Sequence, residues 1–196
     1  MLEHPRSEEI AAAIAQCMPH AGVWSGTFFR ATATSYANSV DLLSGKGSAR
    51  SGGRWNPPGY RSVYGSLDPH TAMSESLANY EDHGIPLSQA MPLVFVGVDA
   101  HLQAVLDVMS TEFLDRLDLT IAGLSQFDWQ AEQDAGREAL TQAIGRAAYA
   151  AGLEGILVPS ARVSAARNIV VFPQRRRKGS SLRVENARRL PKKKRS

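Results

Sequence analysis

Three short apolar runs do most to limit what this chain can fold into. They are Leu93-Val94-Phe95-Val96-Gly97-Val98-Asp99, Gly155-Ile156-Leu157-Val158 and Asn168-Ile169-Val170-Val171-Phe172. All are far shorter than the ~20 apolar residues of a membrane span. Rich in β-branched residues and nearly free of polar breaks, they read as buried strands, with 93–99 central. Turn formers stop each one: Pro159-Ser160-Ala161 after the second and Pro173 after the third.

Helical spacing fills the intervals. Ile10, Ile14 and Met18 mark a helix over 7–18, with Ser7 as N-cap, Glu8 and Glu9 in its first turn, and Pro19 closing it. Asp68-Pro69 starts a second helix, in which Met73, Leu77 and Tyr80 form the stripe expected to be buried. Glu75 falls opposite that stripe with Thr71, Ala78 and Asp82. It reads either as part of a solvated face or as a group looking into a cleft. Residues 111–117 read as a short helix and 132–151 as one long helix, with Gly152 as its C-terminal stop. Further strands are expected over 23–31 and 62–66, and a short one over 104–108. This order predicts an α+β (mixed α/β) sheet with packed helices, in one domain of 196 residues.

Charge is unevenly placed. From Gln174 onward, eleven of the 22 Lys and Arg occur with one acid, Glu185, which leaves 11 basic and 18 acidic residues in 1–173. The body therefore carries about −7 and the tail about +10 by this count. The division expected is an N-terminal helix over 1–22, a folded domain over 23–173 and a basic, flexible tail over 174–196. Cys17 is alone, so no internal disulfide can form. With no basic-then-apolar leader and no membrane-length run, a cytoplasmic protein is expected.

Against that acidic body, Arg30, Lys46, Arg50, Arg54 and Arg61 occur between Trp24 and Ser66 with one acid, Asp41. The run Gly47-Ser48-Ala49-Arg50-Ser51-Gly52-Gly53-Arg54-Trp55-Asn56-Pro57-Pro58-Gly59 is the densest chemistry in the chain. Glycines allow close backbone approach, guanidiniums form forks for phosphate, and Trp55 is a flat surface. One reading is a hairpin loop with solvated arginines; the other is an anion-binding loop. The five histidines show no metal-ligand spacing. Neither a Gly-x-Ser-x-Gly elbow nor a Walker phosphate loop is present.

In order, Phe29-Arg30-Ala31, the Gly52-Gly53-Arg54-Trp55-Asn56 string, Val63-Tyr64-x-Ser66 and Ala72-x-x-Glu75 resemble the RES domain. So do Gly155-Ile156-Leu157-x-Pro159-Ser160-Ala161 and Asn168-x-Val170-x-Phe172, which extends the resemblance over roughly 24–172. Ser51 departs from the aromatic common before the glycine pair, and the basic tail lies outside the resemblance.

The resemblance implies a split β-sheet core similar to that of ADP-ribosyltransferases. It further implies a bacterial toxin that takes NAD as substrate, with no separate cofactor and no metal, and that is held in check by an Xre-like antitoxin covering the site. Carried over by motif, Glu75, Arg54, Tyr64 and Ser160 are the catalytic candidates. Arg30, Gly53, Trp55, Asn56 and Asn168 are candidates for binding NAD. Glu81, nearer the expected apolar stripe, is the alternative carboxylate. In this scheme Glu75 stabilises an oxocarbenium-like ribose, Arg30 and Arg54 grip the pyrophosphate, Tyr64 stacks on nicotinamide and Ser160 bonds a ribose or phosphate oxygen. Two other readings stay open: a mono-ADP-ribosyltransferase acting on one protein, and a nucleic-acid-binding module working through the tail. No specific nucleic-acid site and no membrane contact is expected.

Overall fold

The structure, a computed structural model, describes residues 1–191 except 83, 85, 87, 89 and 90. The side chains of 79, 81 and 82 are likewise outside the description, so the alternative carboxylate Glu81 lies outside the described residues. Six strands form one sheet: β1 Gly22–Ala33, β2 Val63–Ser66, β3 Leu93–Asp107, β4 Gly155–Pro159, β5 Arg167–Val171 and β6 Ser181–Val184. Their order is β1-β2-β5-β4-β3-β6, and β1 also pairs with β3, so the first five strands close into a ring. Only β3–β4 is parallel. The β1–β2 closure rests on the single pair Phe29↔Ser66.

The three apolar runs are strands, as expected, and period-2 alternation on β5 divides the core. Ile169 and Val171 join Phe28, Val98 and Leu102 on one face, while Val170 and Phe172 join Ile10, Ile14, Phe113 and Ile144 on the other. The eight described helices of more than one turn are α1 Ser7–Cys17, α2 Ser39–Ser44, α3 Lys46–Ser51, α4 Pro69–Asp82, α5 Thr111–Arg116, α6 Ile121–Gln126, α7 Trp129–Asp134 and α8 Leu140–Ala150.

Five expectations change. Ser7 is the first residue of α1 and makes no side-chain cap; its hydroxyl donates to the His4 carbonyl. The strands expected at 93–99 and 104–108 are one strand, β3, fifteen residues long. The long helix expected over 132–151 is two, because Gly136 takes a left-handed φ of 75° and turns the chain between α7 and α8. The supposed hairpin loop contains a short helix, α3, and closes in a tight Gly53–Asn56 pair. Among the described residues the tail is folded: β6 pairs with β3, Val184 opposite Val98, and Leu182 and Leu190 pack against the core. Leu182 and Val184 alternate with exposed charge, a short period-2 signal hidden inside a basic run.

Candidate active site

Helix α4 begins as its sequence dictates, with the Thr71 N–H donating to Asp68 Oδ1 at 2.9 Å. Its inward face is opposite to the one expected. Thr71, Ala72 and Ala78 are buried, while Met73 is 40% exposed and Leu77 and Tyr80 are half-buried. Thr71, Glu75 and Ala78 share one face at i, i+4 and i+7, so this rotation turns Glu75 inward. The small residues beside it let α4 lie close to the sheet.

Glu75 meets the ends of β4 and β5. Its Oε1 accepts three hydrogen bonds: from Ser160 Oγ at 2.6 Å, the Ala161 N–H at 3.1 Å and Asn168 Nδ2 at 2.9 Å. No hydrogen bond from a described residue reaches Oε2. The Ser160 hydroxyl also accepts the N–H groups of Arg162 and Val163, at 3.1 and 3.0 Å, so the oxygen that holds Glu75 also ties the turn after β4. With one bond donated and two accepted, that hydroxyl has no capacity left for a substrate oxygen.

Arg54 lies within electrostatic range of Glu75. Burial pushes its guanidinium below its ordinary value, the Glu75 carboxylate pulls it back up, and Arg162 adds to the depression. Its Nη1 donates to the carbonyl of Phe127 at 2.7 Å, beyond the end of α6. The Tyr64 hydroxyl accepts the Trp55 N–H at 2.9 Å and donates to Asn56 Oδ1 at 2.7 Å. Burial pushes this phenol well above its ordinary value, opposed by the Trp55 N–H and by Arg54. Gly53 is required here: a Cβ would stand 2.7 Å from the Tyr64 hydroxyl.

The structure thus joins Ser160 and Asn168 to Glu75 and sets Arg54 within electrostatic range of that carboxylate, with Tyr64 and Gly53 shaping the bend that carries Arg54. Three candidates are placed elsewhere or occupied otherwise. Trp55 is 2% exposed and packed in the core, so its ring offers no face to a ligand. Asn56 is buried, and its amide donates to the carbonyls of Ser48, Pro57 and Tyr60, which makes it the knot of the loop. Arg30 stands two residues from Phe28, on the core face of β1, and donates to the Leu42 carbonyl. Burial pushes its guanidinium down to about 10, and no described bond joins it to Glu75. Of the other basic residues near the loop, Lys46 and Arg50 are exposed and Arg61 is half-buried. The Ala161 N–H is a donor that residue types alone could not reveal.

Among the described residues no group of three or more His, Cys, Asp or Glu is arranged to hold a metal ion. No helix among them is long and apolar enough to cross a membrane.

Comparison with known proteins bears on the fold and the family. Relatives named NAD(+) phosphorylase MbcT, from Mycobacterium bovis and Mycobacterium tuberculosis, are each 28% identical over 141 residues, covering 70% of this chain and 69% of theirs. A crystal structure of the M. tuberculosis MbcT–MbcA toxin–antitoxin complex matches with a TM-score of 0.69 at 24% identity, over 91% of this chain and 90% of that one. At that identity the likeness speaks for the fold. The RES domain profile matches residues 27–193, which brings into the domain the basic segment expected to lie outside it, and the chain belongs to the RES domain family.

Proposed function

We propose that this protein is the NAD-consuming toxin of a toxin–antitoxin pair, working in the cytoplasm and cleaving the nicotinamide–ribose bond. One observation carries the reading: Glu75, held through Oε1 alone, keeps an oxygen clear of described hydrogen bonds within electrostatic range of the desolvated Arg54 guanidinium. NAD is the substrate, and no separate cofactor is needed.

The nicotinamide ring of NAD is already cationic, so it leaves without a general acid. The bonding pair of the C–N glycosidic bond departs with it, producing neutral nicotinamide and an oxocarbenium-like ribose. Glu75 Oε2 faces that developing positive charge and stabilises it. Arg54 holds the pyrophosphate and fixes the bend of the dinucleotide. Tyr64 works through Arg54 by holding its loop. Ser160, whose hydroxyl is fully occupied, acts by holding Glu75, and Asn168 holds the same oxygen through its amide N–H. An oxygen of inorganic phosphate then bonds to the ribose carbon and gives a phosphorylated ADP-ribose. Phosphate is favoured as acceptor because the similar mycobacterial proteins are named as NAD(+) phosphorylases. An antitoxin covers the site in the resting cell, in keeping with the toxin–antitoxin complex that shares the fold.

The test is incubation of the purified chain with NAD, with and without inorganic phosphate, and chromatography of the products. Nicotinamide is released, faster with phosphate, together with a phosphorylated ADP-ribose. Absence of free nicotinamide would overturn the reading. ADP-ribose label on a protein would reassign the chain as a transferase.

A further inference from the structure

Helix α8 carries a polar residue where packing alone would call for an apolar one. Gln142 is 0% exposed, and burying an amide is unfavourable unless each of its groups finds a partner. Here both do. Its Oε1 accepts the Ala139 N–H at 3.2 Å, and its Nε2 donates to Gln133 Oε1 at 2.8 Å and to the Gly53 carbonyl at 3.2 Å. Gln133 in turn donates to the Ser51 carbonyl at 3.1 Å. The two amides therefore hold the carbonyls on either side of Gly52, a residue with a left-handed φ of 75°.

One turn further along the same face, an ideal Cβ at Gly145 would overlap the Trp55 carbonyl oxygen, so the helix presses directly on that peptide. Arg54 lies between these two contacts. The Gly53 carbonyl before it is held by Gln142, and the Trp55 carbonyl after it abuts Gly145. The Trp55 N–H is held by Tyr64. The backbone that aims the guanidinium is clamped from both sides.

From this clamp we infer that Gln142 is a positioning residue for the site, acting through Gly53 to aim Arg54 at the substrate. The inference rests on the proposed NAD chemistry for its kinetic consequence, but not for its structural one. None of the described hydrogen bonds of Gln142 goes to Glu75, Ser160 or Asn168, so loss of its amide should weaken substrate binding and spare the bond-breaking step.

Gln142→Met keeps the volume and removes the amide. The KM for NAD should rise about five- to twenty-fold, the range expected when a buried carbonyl loses its donor, while kcat changes less than about two-fold. In an Arg54→Ala background the same change should add less than about two-fold, since the two residues act as one unit. Limited trypsin digestion followed by mass spectrometry reads the clamp without any NAD. Cleavage after Arg50 and Arg54 should be slow in the wild type and several-fold faster in Gln142→Met. Gln133→Ala, at a half-buried surface position, should shift KM and cleavage in the same direction by less, and it serves if the core variant does not fold. Unchanged protection of the loop, or KM effects that multiply in the double variant, would overturn the inference. A wild-type chain that releases no nicotinamide would overturn the proposed function instead, and the digestion result would then decide the inference by itself.

Discussion

Glu75 and Glu154 each gather three hydrogen bonds and distribute them in opposite ways. Glu154 is 0% exposed, and both its oxygens are occupied. Its Oε2 accepts the N–H groups of Gln103 and Ala104, and its Oε1 accepts that of Arg177 at 2.7 Å. It sits where β3 has passed Ser181 of β6 and has not yet reached Gly155 of β4, so its carboxylate fills a gap in the ladder. Glu75 is half-buried and receives all three donors on Oε1. A carboxylate closed on both oxygens joins pieces of the chain. One closed on a single oxygen is held rigidly and still presents charge to a ligand.

The sharpest way to break that contrast is to remove each charge in turn. Glu75→Gln should reduce NAD cleavage by roughly 10²- to 10³-fold, as when one charge-stabilising group is lost from a preorganised site, with unfolding free energy nearly unchanged. Glu154→Gln should do the reverse. It turns an amide N–H toward a backbone donor, which lowers stability by about 2–4 kcal/mol in denaturant melts and leaves turnover per folded molecule intact. If both variants lost both properties, the two carboxylates would not differ in kind.

Acid sharpens the same contrast. Burial alone would push the Glu154 carboxyl up, but its hydrogen bonds win and hold it below its ordinary value. A depressed carboxylate stabilises the fold in full above the ordinary glutamate range, and that contribution fades as pH falls through the folded-state value. Melts from neutral to acid pH should therefore show falling stability in the wild type and a flatter limb in Glu154→Gln. The smallest expected effect is at Ser160. Ser160→Ala removes one of three donors to Glu75, so kcat should fall about ten-fold, with KM held within about two-fold, and Ser160→Thr should recover most of the loss.

The middle of the sheet was legible in the sequence because β3, β4 and β5 carry short apolar runs rich in β-branched residues, a signal that needs no tertiary context. Glu75 was legible as a candidate through its motif, and the direction of its helix was not. Met73, Leu77 and Tyr80 make a clean apolar stripe, yet α4 turns the small residues Thr71, Ala72 and Ala78 inward to reach the sheet, and Glu75 goes with them. Periodicity locates the apolar stripe of a helix; it does not say which face the neighbouring strands accept. Trp55 was misleading for the opposite reason. In a Gly-rich, Arg-rich string it looks like a ligand surface, but the tight bend made by Gly53 and the Tyr64 hydroxyl drives its ring into the core. Gln142 had no sequence signal, because its role depends on a contact with the Gly53 carbonyl 89 residues away.

The most direct measurement is a crystal structure of the Glu75→Gln protein with NAD bound. The nicotinamide ribose should lie within hydrogen-bonding reach of the side of residue 75 that faces away from Ser160 and Asn168, with the pyrophosphate on the Arg54 guanidinium, as NAD cleavage at this site requires. A dinucleotide seated on the other face of the sheet beside Arg30, or touching neither residue, would contradict it.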